Sequence, residues 1–200
     1  MLKKINKLLF FLIISIPSAF AHEASGGGLI NGLMHPVFGP DHLLAMVAVG
    51  IISAQIGGRA IWTIPTTFVS VMLIGGILGM MDISIMGIEF GIALSVLILG
   101  IAIALDNKIK PVYASLFVAF FAIFHGHAHG TEMPNLAQPL LYALGFVIAT
   151  ATLHITGVLI GLTSKDLKKG PEILRFLGAG IAGIGSAILF GLGLTIIRIN

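Results

Sequence analysis

The chain has 200 residues, 57% of them hydrophobic and only 10% charged, with 11 Lys and Arg, 8 Asp and Glu and no cysteine. A soluble domain carries about 25% charged residues, so this composition points to an integral membrane protein. Without thiols, disulfides, thiolate metal sites and cysteine nucleophiles are excluded, and any metal must be held by imidazole nitrogen and carboxylate or carbonyl oxygen.

Residues 1–21 read as a cleavable signal peptide: Lys3, Lys4 and Lys7, then the apolar run LLFFLIISI (8–16), then Ala19-Phe20-Ala21 as the cleavage site. The apolar run is shorter than the roughly 20 residues a spanning helix needs; an uncleaved anchor is the competing reading. Cleavage leaves eight basic against eight acidic side chains, so net charge gives no reason to expect nucleic acid as a partner. Residues 22–200 then form one domain of six apolar segments, 29–53, 60–80, 86–105, 111–128, 137–162 and 172–197, joined by short linkers. The predicted fold is an all-α integral membrane protein, a six-transmembrane-helix bundle with a broken first helix.

The break is predicted by HPVFGPDH (35–42) in the first segment. Pro36, Gly39 and Pro40 disrupt a helix, and Gly39-Pro40-Asp41 restarts one with proline near its first position. On an unbroken helix His35 and His42 would lie two turns apart, about 10 Å by rise, too far to share an ion. A broken helix is tolerated at membrane depth where it is buried in protein or lines a cavity, and transporters build ion sites there. No lysine or arginine sits at mid-span to neutralise Asp41, so His35, Asp41 and His42 suit a divalent metal or a proton. The alternative is a pair of core histidines bonded to backbone carbonyls.

Small residues recur at four-residue spacing, as Gly75 and Gly79, Gly87 and Gly91, and Gly157 and Gly161, and fill GAGIAGIGSAILFGLG (178–193). This predicts helices in close contact. Glu89, near the outer end of the third segment, is either a ligand or an interfacial side chain. The fourth segment ends in FHGHAHGTE (124–132), in which His125 and His129 share a helix face; in an extended chain His127 would join them. A solvated loop is the alternative for His127. His154 is a lone histidine on an apolar helix, either a satisfied core residue or a further ligand. After cleavage His22 becomes the N-terminal residue, where a free α-amine beside an imidazole chelates metal; disorder of the first residues is the rival reading.

Basic residues fall in alternate linkers, Arg59, then Lys108 and Lys110, then Lys165, Lys168 and Lys169, which places those linkers in the cytoplasm and the mature N-terminus outside. Arg198 at the far end is a mild exception. No H-E-x-x-H, G-x-S-x-G or P-loop is present, so neither an intramembrane zinc protease, a serine hydrolase nor an ATPase is indicated.

The chain resembles the HupE/UreJ family of nickel/cobalt permeases. The pattern H-P-x-x-G-x-D-H matches His35, Pro36, Gly39, Asp41 and His42. A second pattern, F-H-G-x-A-x-G-x-E, matches Phe124, His125, Gly126, Ala128, Gly130 and Glu132, while His127 and His129 fall on its variable positions. The resemblance implies uptake of Ni²⁺ or Co²⁺ across a bacterial inner membrane, with no permanently bound cofactor and an indirect link to hydrogenase or urease maturation. It leaves a homo-oligomer open. Metal captured near His22 and a mouth at His125, His129 and Glu132 would pass to His35, Asp41 and His42, with His154 beyond. The rivals are a membrane haem protein for electron transfer, with haem held by paired histidines, and an accessory or sensor protein that binds metal without moving it. Ligation by neutral imidazole predicts that Ni²⁺ affinity falls as pH drops through about 6.5, the ordinary imidazole value. A titration with no pH response across that range would rule histidine ligation out.

Overall fold

The computed structural model describes residues 28–106, 109–133 and 138–199, the last four by backbone alone. The signal peptide, His22, Lys108 and the side chain of Arg198 lie outside the described residues. Among the described residues seven helices follow in order: α1 (Leu29–Phe38), α2 (Pro40–Ile56), α3 (Ala60–Met80), α4 (Ile88–Leu105), α5 (Pro111–Glu132), α6 (Pro139–Lys165) and α7 (Gly170–Ile199). Five of them are long and apolar enough to cross a membrane. The α1–α2 pair, bent by 82°, passes the same test of length and composition when taken together, which brings the spans to six. The predicted six-span bundle with a broken first helix is therefore the observed fold, a multi-pass membrane protein.

The break falls at Gly39 alone. Its backbone is extended (φ −82°, ψ 104°). Its N–H still donates to the His35 carbonyl at 3.1 Å, and its carbonyl accepts from Leu43 at 2.8 Å. Pro40 opens α2, where its missing N–H leaves nothing unbonded. Pro36, expected to help break the chain, instead lies inside α1. That helix is short, so a single lost hydrogen bond near its end is tolerated.

Helix α2 occupies the centre. Ala45, Met46, Ala48, Val49 and Ile51 are fully buried, and they pack with Ile64, Phe68, Val96, Leu99 and Val118 of the surrounding helices. A helix that is apolar on all sides belongs in a bundle interior. Around it α3 pairs with α5, α4 with α7, and both α1 and α2 with α6. Trp62, Leu140, Phe176 and Phe190, all strongly exposed, form part of an apolar exterior suited to lipid.

Each pairing is closed by glycine. A Cβ on Gly126 would meet the Met72 carbonyl oxygen of α3, one on Gly145 the Leu29 carbonyl oxygen of α1, and one on Gly157 the Val47 carbonyl oxygen of α2. On the α4–α7 side, Gly178 lies against the Gly100 carbonyl oxygen at 2.7 Å from its ideal Cβ. Lipid supplies no hydrophobic drive between helices, so backbone proximity and dispersion hold the bundle together. Gly87 is an exception to the expected pattern: its φ is +71°, and it serves the turn into α4 rather than a helix crossing.

One end of the bundle is fastened by cations. Lys165 Nζ donates to the Ala54 carbonyl at 2.6 Å and Arg175 Nε to the Ala104 carbonyl at 3.1 Å. Both satisfy last-turn carbonyls, at the C-termini of α2 and α4, where positive charge is favoured. Replacing Gly126 by Ala should lower thermal stability in detergent by about 1–3 kcal/mol through overpacking. Gly180→Ala, where nothing lies within 4 Å of the new Cβ, should stay within about 0.5 kcal/mol of wild type.

Candidate metal centre

The bend at Gly39 folds α1 back over the start of α2. It brings the His35 and His42 ring centroids to 6.1 Å, well inside the spacing of a straight helix. A Cβ on Gly39 would lie 3.3 Å from Asp41 Oδ1 and 3.4 Å from His42 Nδ1, so the absent side chain leaves room for both groups. Asp41 stands in the first turn of α2, where the helix dipole favours an anion. Its Oδ1 accepts the His42 backbone N–H at 2.8 Å and the ring Nδ1–H at 2.9 Å. The carboxylate thus holds the ring from behind, and His42 Nε2 is buried without a protein partner.

Helix α5 supplies the opposite wall. FHGHAHGTE is helical to Glu132, so the extended alternative does not occur. His125 and His129, one turn apart, both face inward and are buried. His129 is the hub, with ring centroids 4.5 Å from His35, 4.6 Å from His42 and 4.0 Å from Phe146. Both of its ring nitrogens are buried without a protein partner. His125 lies 4.9 Å from His42 on the inner side, and its Nε2 is 3.0 Å from Ser95 Oγ of α4. Glu132, exposed at the end of α5, completes a set with His35 and His129 whose ligand atoms all lie within 4.8 Å of one another. Metal–ligand bonds of about 2.0–2.2 Å would draw such atoms to roughly 3–4 Å apart, a change within reach of small rotamer shifts.

His154 lies deeper. It is eight residues beyond Phe146 on α6, about 12 Å of helix rise toward the cationic end. Its Nδ1–H donates to the Met46 carbonyl at 2.8 Å, while Nε2 is buried without a partner. One nitrogen is thus satisfied as in a core histidine, and the other is left free of any protein partner. Between it and the outer cluster stands the fully buried ring of Phe68, 5.5 Å from His125 and 5.1 Å from His154.

His127 is buried rather than solvated, and it serves a different contact. Its Nε2–H donates to the Ile83 carbonyl at 2.7 Å, tying down the turn between α3 and α4. Glu89 is exposed in the first turn of α4. Sequence reasoning overlooked Ser95, Phe68, Phe146 and the buried Tyr142, whose ring centroid lies 5.9 Å from that of His35. Of these only Ser95 carried a signal, as a hydroxyl in the apolar run IALSVLIL.

An unpaired buried polar group costs about 1–3 kcal/mol. Four inward imidazoles, His42, His125, His129 and His154, each carry at least one such nitrogen. Five of the seven unpaired buried side-chain atoms among the described residues lie on these four rings, the others being His127 Nδ1 and the Tyr142 hydroxyl, and so many along one path through an apolar bundle is the pattern of a site built for something that is not protein.

Fold and centre together define a polytopic helical membrane protein with a cluster of histidines and carboxylates at the bend of its first span. The chain belongs to the HupE / UreJ protein family, whose model matches residues 9–188. It is 42% identical over 181 residues to Protein HupE of Rhizobium leguminosarum bv. viciae, an alignment covering 89% of this chain and 94% of the relative. No solved structure matches it.

The geometry separates two histidines of one helix turn. His129→Ala should weaken Ni²⁺ binding by about tenfold or more in calorimetric titration. His127→Ala should leave the affinity within about threefold and instead speed protease cleavage in the turn at residues 81–87, where its bond to Ile83 is lost.

Proposed function

We propose that this chain is a permease for a divalent transition metal, Ni²⁺ or Co²⁺, working in the bacterial inner membrane. The observation that carries the reading is the run of imidazoles from half-buried His35 and buried His129 through His42 and His125 to His154, flanked by Asp41 and Glu132. Imidazole with carboxylate suits borderline divalent ions such as nickel, cobalt and zinc. The resemblance to nickel/cobalt permeases narrows the choice among them.

Direction follows from charge. Lys165 and Arg175 lie at the end of the bundle away from the α1–α2 bend. Cytoplasmic ends are rich in Lys and Arg, so Glu132, His35 and His129 face the periplasm, as does the mature N-terminus. Metal enters at this outer group, where Glu132 is exposed and attracts cations. It moves to His42 and His125, then past Phe68 to His154. The mixed ligands bind tightly enough to select yet release readily. Inward movement of a divalent ion is favoured by about 4.6 kcal/mol per 100 mV of membrane potential. Delivery of nickel to hydrogenase or urease maturation is the downstream role that family membership supports.

Ring contacts of 4.5–4.9 Å between successive histidines fit a single ion and leave no slot for a porphyrin between them. That disfavours the haem reading on size. The test is uptake of radioactive Ni²⁺ into proteoliposomes carrying an inside-negative potential. Wild type should accumulate the ion, with Asp41→Asn and His42→Ala slowing flux by about tenfold or more. Equal flux in all three proteins, or none in any, overturns the permease reading. Binding in detergent without flux would mark an accessory protein, and a Soret band a haem protein.

A further inference from the structure

Ser95 lies in the middle of α4 and is fully buried. Its Oγ is 2.6 Å from the Ile92 carbonyl oxygen and 3.0 Å from His125 Nε2. A serine hydroxyl has one proton to give, and a carbonyl can only accept. The contact with Ile92, common for serine in a helix, uses that proton. Oγ therefore presents a lone pair to His125, and Nε2 must carry the hydrogen. In the neutral imidazole the bare nitrogen is then Nδ1, which is buried and has no protein partner.

We propose that Ser95 is a positioning residue of the metal path: it fixes His125 as the Nε2–H form and so offers Nδ1 as the metal-binding lone pair. This deepens the permease reading and rests on it. The same accounting holds for the rings on either side. The Asp41 carboxylate takes the Nδ1–H of His42, and the Met46 carbonyl takes the Nδ1–H of His154, leaving Nε2 bare on both. Three successive imidazoles are thus oriented by three different acceptors. Histidine ligands to metals are characteristically held this way, by a hydrogen bond from the second ring nitrogen. His125 differs in presenting Nδ1, the nitrogen closer to its own backbone, because its acceptor sits at the tip of the ring. Ser95 could simply fill space with its hydroxyl satisfied by Ile92; in that case the 3.0 Å contact sets nothing.

The experiment uses the full chain in detergent micelles, with ¹⁵N-labelled histidine and the His125 signals assigned by their loss in His125→Ala. Long-range proton–nitrogen spectra of the metal-free protein distinguish the two neutral forms. Wild type should show His125 as Nε2–H, Ser95→Ala should lose that preference, and Ser95→Thr, which keeps the hydroxyl, should restore it. Ni²⁺ affinity should fall about 10- to 100-fold in Ser95→Ala and stay within about threefold of wild type in Ser95→Thr. A wild-type His125 found as Nδ1–H overturns the proposal without recourse to any variant. So does a Ser95→Ala protein that keeps both the Nε2–H form and the wild-type affinity. If His125 is Nε2–H and depends on Ser95 while wild type binds no Ni²⁺, the serine's control of the ring stands, but its role in a metal path is overturned with the permease reading.

Discussion

Lipid offers no hydrogen-bond partner to a backbone group or an imidazole, and the organisation of this molecule follows from that constraint. The first span is interrupted at Gly39, which would expose unpaired backbone groups if it faced the bilayer. Instead the bend is folded into the bundle, with α1 and α2 both packed on α6 and the freed face closed by α5 histidines. Among the described residues, the buried side-chain groups left without a partner are the Tyr142 hydroxyl and imidazole nitrogens, and those of His42, His125, His129 and His154 lie in sequence along one path, with His127 Nδ1 off it.

That placement depends on how closely the helices approach. Glycines on α5 and α6 let carbonyl oxygens of α3, α1 and α2 come into contact with the opposing backbone. Close crossings bring side chains of only moderate length, such as histidine, within 4.5–4.9 Å of each other across three helices. Wider crossings would leave the rings separated and would admit lipid or water. The glycines that the sequence scatters through every span and the histidines it concentrates in three of them are thus two parts of one arrangement. The first sets the distance, and the second supplies the chemistry.

Charge completes the polarity of the structure. Carboxylates, Asp41 and Glu132, belong to the end with the bend, and the cations Lys165 and Arg175 cap carbonyls at the other. On the proposed permease reading, a cation entering at that end would meet negative charge first, then imidazoles of increasing depth. The fully buried Phe68 ring stands between the last two, an apolar divider in contact with both His125 and His154. On the same reading, an apolar divider of this kind would let ligand exchange proceed in steps rather than through a continuous polar pore.

Much of this was legible in the order of residues. Six spans, the alternation of basic linkers and the break between His35 and His42 are local properties, set by hydropathy, charge and proline–glycine chemistry over a few residues. So was the pairing of His125 with His129, which follows from helical period. The sequence could not tell that Pro36 stays inside a helix, that His127 ties down the turn at Ile83, or that Gly87 serves a left-handed turn. It could not show that Asp41 holds the His42 ring while Glu132, ninety-one residues later, meets His35 and His129. Nor could it assign Ser95 to His125, 30 residues away on another helix. Spacing along a chain determines which side chains share one helix face, but which faces meet, and which nitrogen of a buried ring is left with a bare lone pair, is decided only when the helices close on one another.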